Sequence, residues 1–409
     1  MGFIVFLEKH NLRYKGEILM HFKLSTPNRA ELSVKPFIFL TFFYTFYLSI
    51  CNKISFIPFL SVIMAIAILI ILCKSIQISM RKIEIFTFIC LFLLSLCNIV
   101  LFGTEVNTYI LVYLFCLLPM MFAGIIVDLE KYHSFIYKIS VVYVIFLLAY
   151  LSMVYLRSST VHTDFADFMG FAYYVVPALL IITYNYFKDR KIFDLIMMGI
   201  GGVYLIICGT RGPLLCVIVF GAFCVFMDIK AHGNSKRKLA IIGILLTAAF
   251  AALNLRSISL FLYPIFQRYG FSTRFFQIII SGNSFTVDTG RNDIYSVVME
   301  NIGSHPITGT GLFSDRMLFG GDNTAYSHNF ILEIINSFGI PVGCLLLFLL
   351  FALIIYSFSH TKSSTYQYYI AIYVSAAIVK LTFSSSFMQE STFFILIGIC
   401  FAALRHRQL

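Results

Sequence analysis

Three side chains carry the chemistry most visible in this chain. Arg211 stands in Gly209-Thr210-Arg211-Gly212-Pro213, a short polar break between two apolar runs. Arg291 follows Thr289-Gly290, and His328 sits in Ser327-His328-Asn329. A planar guanidinium matches phosphate oxygens two at a time. An imidazole near its ordinary pKa of about 6.5 can take up a proton at neutral pH. Together these groups could hold a phosphate or pyrophosphate while a base activates a hydroxyl. The glycines around Arg211 leave room for a ligand. Asn329 can cap the apolar run that follows, which would put His328 at a helix N-terminus, where backbone donors and the helix dipole favour an anion.

These groups must be positioned by membrane spans. Hydrophobic residues make up 60% of the 409 and charged residues only 12%, about half the usual share for a soluble protein. That excludes a soluble enzyme, a disordered chain and a disulfide-stapled secreted domain. A transmembrane barrel is excluded too, because its strands would alternate apolar and polar residues. An all-α integral membrane protein remains. A spanning helix needs about 17–25 mostly apolar residues. About twelve runs qualify: 37–52, 56–73, 83–103, 106–127, 139–156, 168–187, 192–209, 213–229, 239–255, 331–356, 367–383 and 387–404. The chain then divides into an N-terminal cytoplasmic segment (1–36), spans one to nine (37–255), a large outer loop (256–330), three more spans (331–404) and a cytoplasmic tail (405–409). Residues 1–36 are charged throughout and lack a small-residue cleavage site, unlike a cleavable signal peptide.

With both termini inside, most of the 30 Lys and Arg fall on the inner face. The outer segments carry only Lys53, Arg157, Arg211, Arg256, Arg268, Arg274, Arg291 and Arg316, and Lys380 lies within a span. The net charge of +11 is therefore mostly topology, and no nucleic-acid partner is expected. All ten Cys fall within the apolar runs without metal-ligand spacing and act as small apolar residues.

The 256–330 loop is long, and long loops in compact proteins are usually functional. Residues 257–281, broken by Pro264 and Gly270, suit one or two short helices in the membrane interface. Asp288-Thr289 can cap a helix from Gly290 to about Asn301, with Gly303 as its stop. Pro306, Gly309, Gly311, Gly320 and Gly321 then demand sharp turns. The loop holds five Arg and no Lys, which suggests phosphate near the outer surface. Arg268, Arg274 and Arg316 join Arg211 and Arg291 as candidate ligands. The alternative is that these side chains snorkel to headgroups or pair with Asp288, Asp293, Asp315 and Asp322. Lys380 could pair with Glu390 or with a ligand phosphate. Glu333 lies five residues past His328, about 140° around a helix, so it more readily orients the helix end than reacts. Asp164 and Asp167 near His162 could bind a metal, but at no recognised spacing, and none is expected. No phosphate-loop sequence, dinucleotide fingerprint or HExxH occurs, so no cofactor is expected either.

Three elements in this order resemble the O-antigen polymerase and O-antigen ligase superfamily. They are Thr210-Arg211-Gly212 with Leu214-Leu215, then Thr289-Gly290-Arg291 leading a helix with Pro306-Ile-Thr-Gly309-Thr-Gly311, then Ser327-His328-Asn329-Phe-Ile-Leu332-Glu333 with Gly339 and Gly343. The likeness covers roughly residues 205–345. It implies a metal-independent C-type glycosyltransferase (GT-C) fold in the bacterial inner membrane, with the large loop and site facing the periplasm. The implied partners are membrane lipids and undecaprenyl-pyrophosphate-linked oligosaccharides as donor and acceptor, and a chain-length regulator is compatible. Arg211, Arg291 and His328 would then be catalytic. Arg268, Arg274, Arg316, Asn329, Glu333 and Lys380 would bind pyrophosphate or glycan. Polymerase is the expected activity, joining repeat units with undecaprenyl pyrophosphate as leaving group; ligase, which moves the glycan to the lipid A core, is the alternative. A lipid-linked oligosaccharide flippase is the rival from another class, but it should show similar halves and short loops. A reporter enzyme fused near residue 300 is expected to report the periplasm, and a cytoplasmic signal would overturn this topology.

Overall fold

The computed structural model describes residues 29–43, 80–104, 108–157, 165–232, 254–268, 273–281, 291–319 and 326–405. Every regular element among the described residues is helical. In chain order they are α1 (Arg29–Ile38), α2 (Lys82–Leu101), α3 (Thr108–Val112), α4 (Met120–Ile126), α5 (Leu129–Arg157), α6 (Phe165–Asp189), α7 (Ile192–Ile207) and α8 (Arg211–His232). There follow α9 (Leu255–Arg268), α10 (Arg274–Ile280), α11 (Arg291–Ser304), α12 (Ser314–Leu318), α13 (Phe330–His360), α14 (Ser364–Tyr373), α15 (Lys380–Phe383) and α16 (Ser391–Arg405). Wide π-helical turns, Tyr113–Leu117 and Val374–Val379, follow α3 and α14.

Among the described residues six helical stretches are long and apolar enough to cross a membrane: Lys82–Leu101, Tyr109–Ile126, Leu129–Ser152, Gly170–Asp189, Arg211–Ala231 and Phe330–His360. Ile192–Ile207 and Ser391–Arg405 are shorter apolar helices. The expected spans at 83–103, 106–127, 139–156, 168–187, 192–209, 213–229, 331–356, 367–383 and 387–404 each meet helix. The expected span 56–73 lies outside the described residues, as do most of 37–52 and 239–255. Exposed apolar side chains such as Phe86, Val100 and Leu101 on α2 suit contact with acyl chains. The interior is built around α6, whose Val175, Val176 and Leu179 are buried, and around α16, which crosses α4 closely. A side chain on Gly398 would meet the Met121 carbonyl at 2.0 Å, so only a small residue permits that crossing.

Two local expectations change. The inner loop expected between 127 and 139 is mostly helix, because α5 begins at Leu129. The Asp128 carboxylate accepts the Lys131 amide at 3.1 Å, and this cap starts the helix inside the charged stretch. Pro264 does not break the loop's first helix; α9 runs through it. Proline removes only its own donor, so a helix can run on past it.

The loop segment after α11 is docked by backbone. Helix α13 departs from helical geometry at Gly339 (φ 75°, ψ 167°). The loop after α11 passes through that break: Ile340 N donates to Pro306 O at 2.7 Å, Thr310 N to Asn336 O at 2.8 Å and Gly311 N to Ser337 O at 3.2 Å. Carbonyls released by the break are thus paired. Asn301 Nδ2 donates to Asn336 Oδ1 at 2.8 Å, which ties α11 to the same place. Asn98 on α2 completes the clasp, accepting Leu312 N at 2.6 Å and donating to Ser337 O at 2.9 Å. A Cβ at Gly339 would lie 2.1 Å from the Ile307 carbonyl. Gly339→Ala combines that clash with a left-handed backbone, and we expect a loss of at least about 1–3 kcal/mol. It should appear as a lower melting temperature of the detergent-solubilised protein; an unchanged melting temperature would show that the clasp does not hold the loop.

Candidate functional site

Chain direction brings one set of ends together: the starts of α6, α8 and α13, the turn between α15 and α16, and the loop helices α11 and α12. The frame of this mouth is a buried ionic cluster. Asp315 and Arg316 on α12 and Glu333 in the first turn of α13 are all buried. Arg316 Nη1 is 3.0 Å from Asp315 Oδ1 and 3.9 Å from Glu333 Oε1. Glu333 also accepts the Phe387 amide at 3.0 Å and the Ser386 hydroxyl. Arg316 Nη2 donates to Ser386 Oγ at 3.2 Å, and Asp315 Oδ2 accepts Ser327 N at 3.0 Å. One cluster therefore joins α12, the 326–329 segment, α13 and the turn before α16.

That cluster sets His328. The residue has φ 52°, a left-handed conformation that is uncommon for a side chain larger than glycine. Phe313 (φ 64°) and Ser385 (φ 68°), both beside the cluster, share it. Such backbone strain gathers where surroundings over-determine the chain, often at functional sites. The His328 ring lies 4.0 Å from that of Tyr326, whose hydroxyl accepts the Ser385 amide at 3.1 Å. Its Nδ1 is buried with no hydrogen-bond partner among the described residues. Burial first, and then the nearby Arg291 charge, push the imidazole from 6.5 down to about 4, against an opposing pull from Asp315. His328 is therefore neutral at physiological pH and available as a base. Asn329 caps α13 as expected, its Oδ1 accepting Ile331 N at 3.0 Å and Leu332 N at 3.4 Å.

The other wall is formed by the 209–212 turn and α15. Lys380 pairs with buried Glu390, and its ammonium lies 4.9 Å from the centre of the Tyr173 ring. Glu390 also accepts from Ser385 Oγ at 3.3 Å and Thr392 Oγ1 at 2.8 Å. Tyr173 on α6 pairs with the Ser384 side chain and feels the Arg291 charge. Its hydroxyl stands against Gly212, the residue after Arg211. Arg211 and Arg291, the first residues of α8 and α11, are half-buried.

Arg211, Arg291, His328, Asn329, Glu333, Lys380 and Arg316 thus belong to one end of the bundle. Arg316 and Glu333, expected on the substrate, are engaged with each other and with the backbone. Arg268, at the end of α9, is exposed, and Arg274 begins α10. Among the described residues no group of His, Cys, Asp and Glu could hold a metal; His162 and Asp164 lie outside them. Tyr173, Tyr326 and Ser384–Ser386 were not singled out by the sequence. Tyrosine is one of 24 in the chain, and nothing local marks these two.

An all-helical, multi-pass membrane protein with a cationic mouth is the class that the fold and these side chains define. Residues 196–349 match the family model described as O-antigen ligase. Over that segment the chain is similar to the O-antigen ligase and polymerase superfamily, whose members are membrane glycosyltransferase-like enzymes. No curated protein matches the chain. The matched segment carries Arg211, Arg291 and His328, whereas Tyr173, Lys380 and Glu390 lie outside it.

The lowered pKa of His328 gives a signed prediction. A base must be unprotonated, so kcat/KM for a donor, which reports the free enzyme, should stay flat from pH 8 to pH 6 and fall only toward about pH 4. A bound anion offsets the Arg291 charge, so the matching inflection in kcat should lie higher than that in kcat/KM. An inflection of kcat/KM near 6.5 would mean that His328 is solvated instead.

Proposed function

We propose that this protein is an O-antigen polymerase, a GT-C glycosyltransferase working at the periplasmic face of the bacterial inner membrane. Its substrates are oligosaccharide repeat units linked to undecaprenyl pyrophosphate. The observation that carries this reading is the meeting of a neutral, half-buried imidazole, its Nδ1 buried, with the Arg291 charge at a span mouth that also holds Arg211 and Lys380.

The reaction needs few parts. An acceptor sugar hydroxyl attacks the anomeric carbon of the donor glycan. The new glycosidic bond forms as the bond from that carbon to the pyrophosphate oxygen breaks, and undecaprenyl pyrophosphate leaves with the bonding electrons. His328 takes the hydroxyl proton. Arg211 and Arg291 face the growing charge of the leaving group, where fixed cationic donors lower the barrier. The pyrophosphate link is already activated, so no nucleotide is required. Arg316 and Glu333 hold the 326–329 segment and the turn before α16 at the distance the chemistry requires. Lys380 and Asn329 complete the anion-binding surface, and exposed Arg268, with Arg274, supplies positive charge at the membrane interface.

The ligase reading has one observation of its own, the description of the matching family. A lipopolysaccharide gel separates the two. Cells lacking this protein should show a core carrying one repeat unit, and His328→Ala should look the same, since losing a general base costs about 10²–10⁴-fold in rate. A bare core with long chains accumulating on undecaprenyl pyrophosphate would instead establish the ligase. A bare core with single units retained on the cytoplasmic side would point to a flippase and remove the assignment of His328.

A further inference from the structure

Tyr173 is the side chain on which the two walls of the mouth close. It lies in the first part of α6, outside the segment matched to the family. Three independent contacts converge on it. The Lys380 ammonium sits over its ring at 4.9 Å. Its hydroxyl pairs with Ser384, next to the Ser385 that binds Glu390. The same hydroxyl occupies the space that a Cβ at position 212 would need, only 1.9 Å away. Gly212 is the residue after Arg211, so the tyrosine sets how far the Arg211 turn can move toward α6. Lys380, in turn, is held between the tyrosine ring and Glu390. The Arg291 charge reaches Tyr173 as well as His328, so Tyr173 lies within the field of the same site.

We infer that Tyr173 is a positioning residue for pyrophosphate binding, setting the Arg211 turn through Gly212 and the Lys380 ammonium through its ring. This rests on the reading that the mouth takes a lipid-linked pyrophosphate. A cation over an aromatic face is attracted to it, and the attraction strengthens where water is excluded. Lys380 thus keeps one fixed place between the ring and Glu390. A guanidinium on a short turn can be bidentate only if the turn has one depth. The hydroxyl against Gly212 supplies that stop.

The test uses full-length protein in nanodiscs of phosphatidylethanolamine and phosphatidylglycerol, with radiolabelled undecaprenyl pyrophosphate as the probe. Tyr173→Phe keeps the ring under Lys380 and removes the hydroxyl. We expect wild-type melting temperature and binding weakened about tenfold, the scale of one hydrogen-bonded contact to a charged site. Gly212→Ala should bind more weakly still. The double variant Tyr173→Phe with Gly212→Ala should recover part of that loss, because the nearest ring atom then stands 2.9 Å from the new Cβ where the hydroxyl stood at 1.9 Å. A merely structural tyrosine would show no such rescue in probe affinity. Wild-type affinity in both single variants, or strictly additive losses in the double, would overturn the inference while leaving the functional reading intact. Wild-type protein that binds no probe would overturn the functional reading itself, and the inference with it.

Discussion

Burying Glu333 is the constraint on which the rest of the mouth depends. A carboxylate in the first turn of a membrane-spanning helix, nearly inaccessible to solvent, must be paired or hydrogen-bonded to be tolerated. Every partner it recruits comes from a different part of the chain: Arg316 from α12, Ser386 and the Phe387 amide from the turn before α16. Satisfying one charge therefore assembles three segments. Asp315 extends the arrangement by holding both Arg316 and the Ser327 amide, which leaves His328 no freedom to swing away. The left-handed backbone at His328 is sustained by that pairing on either side of it.

A second device works without charge. The loop backbone enters the break in α13 at Gly339 and pairs with the carbonyls the break releases. Backbone exposed at a helix break near a membrane must find partners in protein. The 306–311 segment provides them and is anchored in return. The ionic cluster and the backbone clasp both engage the first turns of α13, so His328 and α11 are fixed relative to one another. Arg291 arrives at the head of α11, and its charge, after burial, helps keep the imidazole neutral.

Much of this was legible in the chain. The apolar runs place nearly every described spanning helix, because a bilayer requires uninterrupted hydrophobic length and leaves little else to decide. Asn329 was readable as a cap because its side chain acts within its own next turn. Pro264 and the 127–139 stretch were misjudged because proline and charge tell against helix only where the freed groups lack other partners. Glu333 was readable as a helix-end residue and Asp315 as one candidate partner of the loop arginines, but the contacts of Arg316 with Glu333 and Ser386 were not legible, because they join residues far apart in the chain.

The sequence by itself determined the solvent of this protein, its helical class, and the residue types able to meet a pyrophosphate: Arg211, Arg291 and His328 in short, glycine-marked breaks. Those are local properties, set by composition, length and capping. Only the tertiary structure decided that Arg316 is spent inside the frame, that Lys380 stands over Tyr173, and that a tyrosine far from the motifs meets Gly212. The physical reason is that these are contacts between residues widely separated in sequence. Their partners are chosen by how helices pack side by side, and helix packing depends on faces that no single segment carries.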